Sequence, residues 1–331
     1  MRKITVFAAS LLLAVSVGAA RAEKTEITIS KQYGIHYLPL IVAEDLKLIE
    51  KHAKAAGLGE VKTNWATFSG GAAANDALLS GSVDLVSGGT APLIRIWAKT
   101  KGTHNEVKAL AALDQIPLTL NTNNAKVKTI ADFSDNDRIA LPAVKVSIQS
   151  LILEIAAAKA FGKENYARLD KLTVSLSHPD AVTALTSGKS EITAHFANEP
   201  FTSVELKNAN IHRVFNSFEV FGGRHTTNIV WTSSQFVREN PKLTQAIVAA
   251  VKEAVDWILA DKKRAAELYV RATKSRDNVS FVHDILISPD VNYAARPLDN
   301  FTIFSDFLFD SGEIKHKAAN VRELFFDPVF E

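Results

Sequence analysis

The chain has 331 residues, 38 Lys and Arg against 36 Asp and Glu, 47% hydrophobic residues and no cysteine. The missing cysteine excludes disulfides, thiol nucleophiles, cysteine-linked lipid and zinc–thiolate sites within this chain. The formal charge of +2 becomes about −1 once Arg2, Lys3 and Arg21 of the N-terminal leader are set aside, so the sequence has no basic footprint for nucleic acid, and no nucleic-acid partner is expected.

The leader reads as a secretory signal peptide over residues 1–22. Arg2 and Lys3 precede an apolar run from Ile4 to Val17, and Ala20-Arg21-Ala22 forms an A-x-A cleavage site. The run is short for a spanning helix, so the expected product is an exported chain cleaved near Ala22, starting at Glu23 and residing in the periplasm. About three hundred remaining residues exceed what one core usually encloses and suit two α/β lobes with a cleft between them.

Along the chain, Glu26–Ser30 alternates as a strand, and a helix starts near Pro39 with Val42, Leu46 and Ile49 on one face. A strand over Val61–Ala66 meets Phe68-Ser69-Gly70-Gly71-Ala72, then a helix that Gly81 closes. A second strand, Val83–Val86, meets Val86-Ser87-Gly88-Gly89-Thr90 and a further helix. Both glycine segments read as strand-to-helix turns, where a ligand can approach the backbone and the unpaired N–H groups of a helix start. Ser-Gly-Gly is also an ordinary turn with a serine cap, and the repetition in series is what favours a ligand cradle.

The alternation of strands and helices predicts largely parallel sheets. A strand over Val107–Leu113 leads through Pro117 into Leu118–Leu120, which places the first crossing between lobes there. The second lobe then holds strands at Arg138–Pro142, Leu172–Leu176, Glu191–Phe196 and Ile211–Phe215, with helices from Ser147 to Phe161 and Asp180 to Thr186. Thr226–Trp231 reads as the strand that returns to the first lobe. Helices follow, the first capped by Asn240 with Pro241 in its first turn. The expected division is 23–115 and 223–331 for the first lobe and 116–222 for the second.

Few motifs carry chemistry. Thr186-Ser187-Gly188-Lys189-Ser190 ends like a phosphate loop, but Thr183 stands where that loop needs glycine, and the segment follows a helix instead of opening one. There is no G-x-G-x-x-G, G-x-S-x-G or H-x-x-x-H in the sequence, so no cofactor, no metal and no catalytic residues are expected. His36, His195 and His225 fall in loops or strand ends that should face the cleft, where a histidine serves as a neutral donor or, protonated, as a counter-charge. Ser147 caps the long helix of the second lobe and offers a hydroxyl with free N–H groups from the opposite wall. Lys145 is read as a solvated lysine ahead of a counter-charge.

Several short segments, in order and spacing, resemble the periplasmic solute-binding proteins of ATP-driven importers, in the taurine, nitrate and sulfonate class that shares its fold with thiamine-pyrimidine precursor binders. They are Tyr33-Gly34-Ile35-His36-Tyr37-Leu38-Pro39 with Val42-Ala43-Glu44, the Phe68-Ser69-Gly70 turn, Leu79-Ser80-Gly81-Ser82-Val83-Asp84 running into Gly88-Gly89-Thr90, Ala194-His195-Phe196-Ala197-Asn198-Glu199-Pro200, and Phe236-Val237-Arg238-Glu239-Asn240-Pro241. The resemblance implies a type II periplasmic-binding-protein fold, two α/β lobes joined by a hinge. It also implies a monomer that delivers a small-molecule solute to the membrane permease of an ABC importer.

Carried over residue by residue, it implies contacts from Tyr33, His36, Ser69, Gly70, Gly71, Gly89, Thr90, Ser147, His195, Phe196 and Glu199; His225 is added from its place at the returning strand. The solute expected is a small organic anion, a sulfonate or carboxylate, with a neutral heteroaromatic as the second choice. An enzyme using His195 and Glu199 as acid and base is a third. Two departures stand out: Lys47 occupies a position where the class usually has glycine, and His195-Phe196 replaces a tryptophan common near the Glu-Pro segment.

Overall fold

The computed structural model describes residues 22–330. The leader therefore lies almost wholly outside the described residues. The first pass of the chain gives β1 (Glu26–Lys31), α1 (Leu38–Asp45), α2 (Leu48–Ala55), β2 (Lys62–Thr67), α3 (Gly71–Leu79), β3 (Val86–Gly89), α4 (Thr90–Thr100) and β4 (Val107–Ala112). The middle third gives β5 (Thr119–Thr122), β6 (Ile139–Leu141), α5 (Ile148–Phe161), β7 (Thr173–Ser175), α6 (His178–Ser187), β8 (Ala194–Ala197), α7 (Phe201–Glu205), β9 (His212–Asn216) and α8 (Ser217–Phe221). The chain then returns through β10 (Asn228–Ser233) to α9 (Ser234–Glu239), α10 (Pro241–Ala260), α11 (Lys262–Thr273), α12 (Val279–Leu286) and α13 (Thr302–Asp310).

Two sheets result. The second has order β7-β6-β8-β5-β9; the first runs β2-β1, then β3-β10-β4, joined by a parallel bridge from Ile29 to Leu85. Both are mixed instead of largely parallel. In each, the strand that arrives from the other sheet (β10 or β5) sits fourth and pairs antiparallel with both neighbours. A chain that leaves one sheet and enters the next must run in the reverse sense, a constraint that local periodicity does not record.

Other differences from the sequence reading have local causes. The helix expected from Pro39 breaks in two at Lys47, whose φ of 52° is left-handed, and this explains why glycine suits that position. The second glycine segment is strand up to Gly89, with Thr90 opening α4 directly, because Val86–Gly89 pairs with β10. Asn240 precedes α10 without capping it through its side chain: its Oδ1 accepts from Lys24 N and its Nδ2 donates to Phe236 O. Helices α7 and α8 were missed as too short to show a period.

Two long segments join the sheets, 113–118 and 222–227, and they bond to each other. Leu113 N donates to Asn228 O and Thr227 N to Asp114 O. One apolar core lies between α1, α2, α10, α11 and α12 over the first sheet. A second is continuous across both sheets, from Leu93 and Ile94 of α4 through Leu118 to Ile148 and Ile152 of α5, and includes Phe301, Phe304 and Phe325 near the C-terminus. The two halves therefore pack against each other as one closed body.

A candidate solute cleft between the sheets

Three helix starts meet at the seam. Gly71 opens α3, Gly89 caps α4, and Ser147 with Ile148 and Gln149 begins α5; all of them line one cavity of about 20 Å³, together with Gln32, Tyr37, Asn198, Asn228 and His178. Glycine is the N-cap of both α3 and α4, so neither helix has a side-chain oxygen to satisfy its first N–H groups. On α4, however, Thr90 N donates to Thr227 O at 3.2 Å and Pro92 has no N–H. A helix start with open donors and the positive end of its dipole suits an anionic or electron-rich group. Ser147 differs, because its hydroxyl accepts from Ser150 N at 3.2 Å.

The walls touch around this cavity. A Cβ on Gly89 would lie 2.4 Å from Ile148 Cγ2, and one on Gly34 would lie 2.6 Å from Glu199 O; Gly34 itself has φ 111°. Ile35 N donates to Glu199 O at 3.0 Å and Asn198 Nδ2 to Tyr33 O at 3.0 Å, fastening the first loop to the β8–α7 segment. Arg95 of α4 donates to Val146 O at 3.1 Å while held by Glu313, which adds a clasp on the far side. A volume of about 20 Å³ holds roughly one water, so a larger solute enters only as the halves part.

The cleft floor is a buried polar network. Asp114 accepts from His36 Nδ1 at 3.0 Å, Ile116 N at 3.1 Å and Asn228 Nδ2 at 3.1 Å, and Asn228 Oδ1 accepts from Tyr37 OH at 3.2 Å. Burial first, then the Asp114 carboxylate, holds the Tyr37 hydroxyl well above its ordinary value, so it stays a neutral donor. Buried polar atoms without a hydrogen-bond partner among the described residues include Thr90 Oγ1, Asn198 Oδ1 and His36 Nε2.

The residues singled out from sequence divide accordingly. Gly71, Gly89 and Ser147 line the cavity, and Gly70 and Thr90 adjoin it, with Gly70 close to Pro142 of the opposite wall. His36 lies beneath the floor, fully buried on Asp114. Tyr33 is 41% exposed and lines an outer pocket of about 490 Å³ that shares Gln32 with the cleft. Ser69 is exposed. Phe196 is fully buried, edge-on to Phe215. His225 sits among Phe218, Phe221 and Phe304 with its Nε2 on Ser217 Oγ, and burial pushes its pKa down to about 4, against the Thr226 carbonyl that favours the charged form.

His195 and Glu199 are not a pair. His195 bonds His178 and Glu205, whereas Glu199 accepts from Ser203 Oγ and N, and burial raises its carboxyl above the usual range. Lys145 is exposed. Gln32, Tyr37, Gln149, His178 and Asn228 are polar lining side chains that sequence reasoning passed over, whereas Asn198 lies within the implied contact segment 195–199. The available signals were slight: Tyr37 and Asn198 sat inside segments already quoted, and His178 follows a capping serine, since Ser177 accepts from Asp180 N. Among the described residues, no group of three or more His, Asp or Glu side chains is arranged to hold a metal.

A family model for the NMT1-like family matches residues 20–272. The chain belongs to the NMT1-like family. No curated protein matches the sequence. The structure is similar to the alkanesulfonate-binding protein SsuA from Xanthomonas axonopodis pv. citri bound to MOPS, at 18% identity over 91% of this chain and 98% of that one, with a TM-score of 0.71. It is similar to the periplasmic nitrate-binding protein NrtA from Synechocystis PCC 6803, at 16% identity over 93% of this chain and 88% of that one, with a TM-score of 0.72. The aliphatic sulphonate binding protein SsuA from Escherichia coli gives 18% identity, 93% and 100% coverage and a TM-score of 0.66. The NMT1-like chain thus has the type II periplasmic-binding-protein fold, two α/β lobes about a hinge.

Proposed function

We propose that this NMT1-like protein is the solute-binding component of an ABC-type importer, exported to the periplasm, which captures a small organic anion between its lobes and hands it to a membrane permease. The lobes in this reading are 23–115 with 223–331, and 116–222. The observation that carries it is the convergence of three helix starts from both sheets on one cavity at the seam. The sulfonate and nitrate receptors with the same fold support the anionic class.

Magnitudes set what else is needed. Micromolar affinity is about 8 kcal/mol, and a helix start contributes up to about 2 when partly buried, so three of them leave a remainder of at least about 2. The second amide hydrogen of Asn198 and packing against Tyr37 and Ile148 supply the rest. In this reading the solute bridges the lobes and stabilises the closed form.

A second reading, a neutral heteroaromatic solute, draws on one feature: no Lys, Arg, Asp or Glu lines the cavity among the described residues. Its stacking partner would be Tyr37 instead of the outward Tyr33. Native mass spectrometry of the purified protein, followed by thermal shifts with sulfonates, carboxylates and pyrimidines, separates the two. Affinity for an anion that falls with added salt supports the first reading. Tight binding confined to uncharged pyrimidines overturns it.

A further inference from the structure

A chain of buried side chains runs from the interior of the second sheet to the cavity. Glu205 of α7 and His195 of β8 are fully buried, while His178 and Gln149, at the starts of α6 and α5, are 5% exposed and line the cavity. Glu205 Oε1 lies 2.5 Å from His195 Nδ1, and Glu205 Oε2 accepts from Asn121 Nδ2 at 2.8 Å. His195 Nε2 lies 2.8 Å from His178 Nδ1, and His178 Nε2 lies 3.3 Å from Gln149 Nε2. His178 also stacks on Phe201, with ring centroids 5.6 Å apart.

Donor and acceptor roles follow from the two ends. A carboxylate only accepts, so His195 Nδ1 carries a hydrogen. At the other end an amide nitrogen only donates, so His178 Nε2, which faces Gln149 Nε2, is bare and the neutral His178 ring carries its hydrogen on Nδ1. His178 Nδ1 then donates to His195 Nε2. Every link points inward, each satisfied by the next. Burial, with His195 and His36 nearby, holds His178 well below its ordinary pKa, so its ring is neutral.

We propose that Gln149 sets the solute preference of the cleft, and that His178, His195 and Glu205 are positioning residues that hold its amide with nitrogen inward and oxygen toward the solute. The inference rests on the solute-receptor reading and refines it. A fixed carbonyl oxygen at the mouth of α5 repels a bare anionic oxygen and accepts from an O–H or N–H. The solute class is therefore an anion that carries a hydrogen-bond donor beside its charged group. A site built to pair with a donor discriminates against the analogue lacking it, because its own polar atom is left unpaired.

The test has two arms. Nitrogen-15 NMR of the solute-free protein at pH 7.5, assigned with His178→Phe, reads both rings; hydrogen on Nδ1 and a bare Nε2 in each is expected, and hydrogen on His178 Nε2 overturns the proposal. Calorimetry then compares 2-hydroxyethanesulfonate with ethanesulfonate. The wild-type protein is expected to prefer the hydroxylated solute about tenfold, and Gln149→Leu and His178→Phe each to bring the two within about twofold. Equal binding by the wild type, or a preference that survives both substitutions, overturns the inference and leaves the receptor reading standing. Binding of neither sulfonate overturns the inference and removes sulfonates from the receptor reading, which the carboxylate and pyrimidine panel then decides.

Discussion

Lys47 carries a left-handed backbone at the break between α1 and α2, a conformation that costs an L-residue about 1 kcal/mol and glycine almost nothing. Replacing Lys47 with glycine is expected to raise stability by up to about 1 kcal/mol, read as a shift in the denaturation midpoint with unchanged slope. Glu154, on α5, is 3% exposed with Oε2 unpartnered, and burial, reinforced by Glu313 and Asp170, raises its pKa to about 8. Between pH 4.5 and 8 the folded chain binds the extra proton, so this group's contribution is full below pH 4.5 and lost as pH rises through 8. Glu154→Gln should therefore stabilise the protein more at pH 8 than at pH 5, by roughly 1.4 kcal/mol for each pH unit crossed as an upper bound. Equal melting shifts at the two pH values would refute it. Nothing in the residues around Glu154 in sequence marks it as buried, because its partners Arg95 and Glu313 come from distant parts of the chain.

At the scale of elements, the glycine caps explain why part of the cleft was legible in the sequence and part was not. Gly70-Gly71 and Gly89 stood out because a repeated Ser-Gly-Gly turn between strand and helix is a local pattern, and Ser147 announced α5 as its capping serine. Tyr37, just before α1, and Gln149 and His178 of α5 and α6 reach the same cavity only through the order of strands in the two sheets, which no segment contains. His195 and His225 were chosen as polar residues at strand ends, yet each is absorbed by burial and a dedicated partner, Glu205 or Ser217. Closure can be tested at one atom. Gly89 has an ordinary extended backbone, so Gly89→Ala introduces no strain of its own, but the added methyl meets Ile148 across the seam. We expect at least about tenfold weaker solute binding, near 1.4 kcal/mol, with a larger radius of gyration in solution scattering and little change in thermal stability.

Across the whole molecule, fold class was the most accessible property, since the βα alternation and the length suit two α/β lobes and the ordered short segments carry the family resemblance. Sheet sense was the least accessible, because β5 and β10 take their direction from the crossings. Two imidazoles kept neutral by burial, His178 and His225, make global stability depend on acid. The folded His225 value of about 4 lies below the ordinary 6.5, so the unfolded chain binds the extra proton between them. Stability is thus expected to be full above pH 6.5 and to fall as pH drops toward 4, by up to about 1.4 kcal/mol per unit for each ring. A denaturation series from pH 7.5 to 4.5 that shows no loss for the wild type relative to His225→Phe would exclude this account.

The paired crossings, Leu113 to Asn228 and Asp114 to Thr227, bear on how the solute of the proposed function would reach the cavity. Under the proposed function, two straps laid side by side and stitched together favour a swing of the halves about one axis over a free twist. In that reading admission is confined to the rim farthest from the straps, and a permease that grips the rim senses occupancy without touching the cargo.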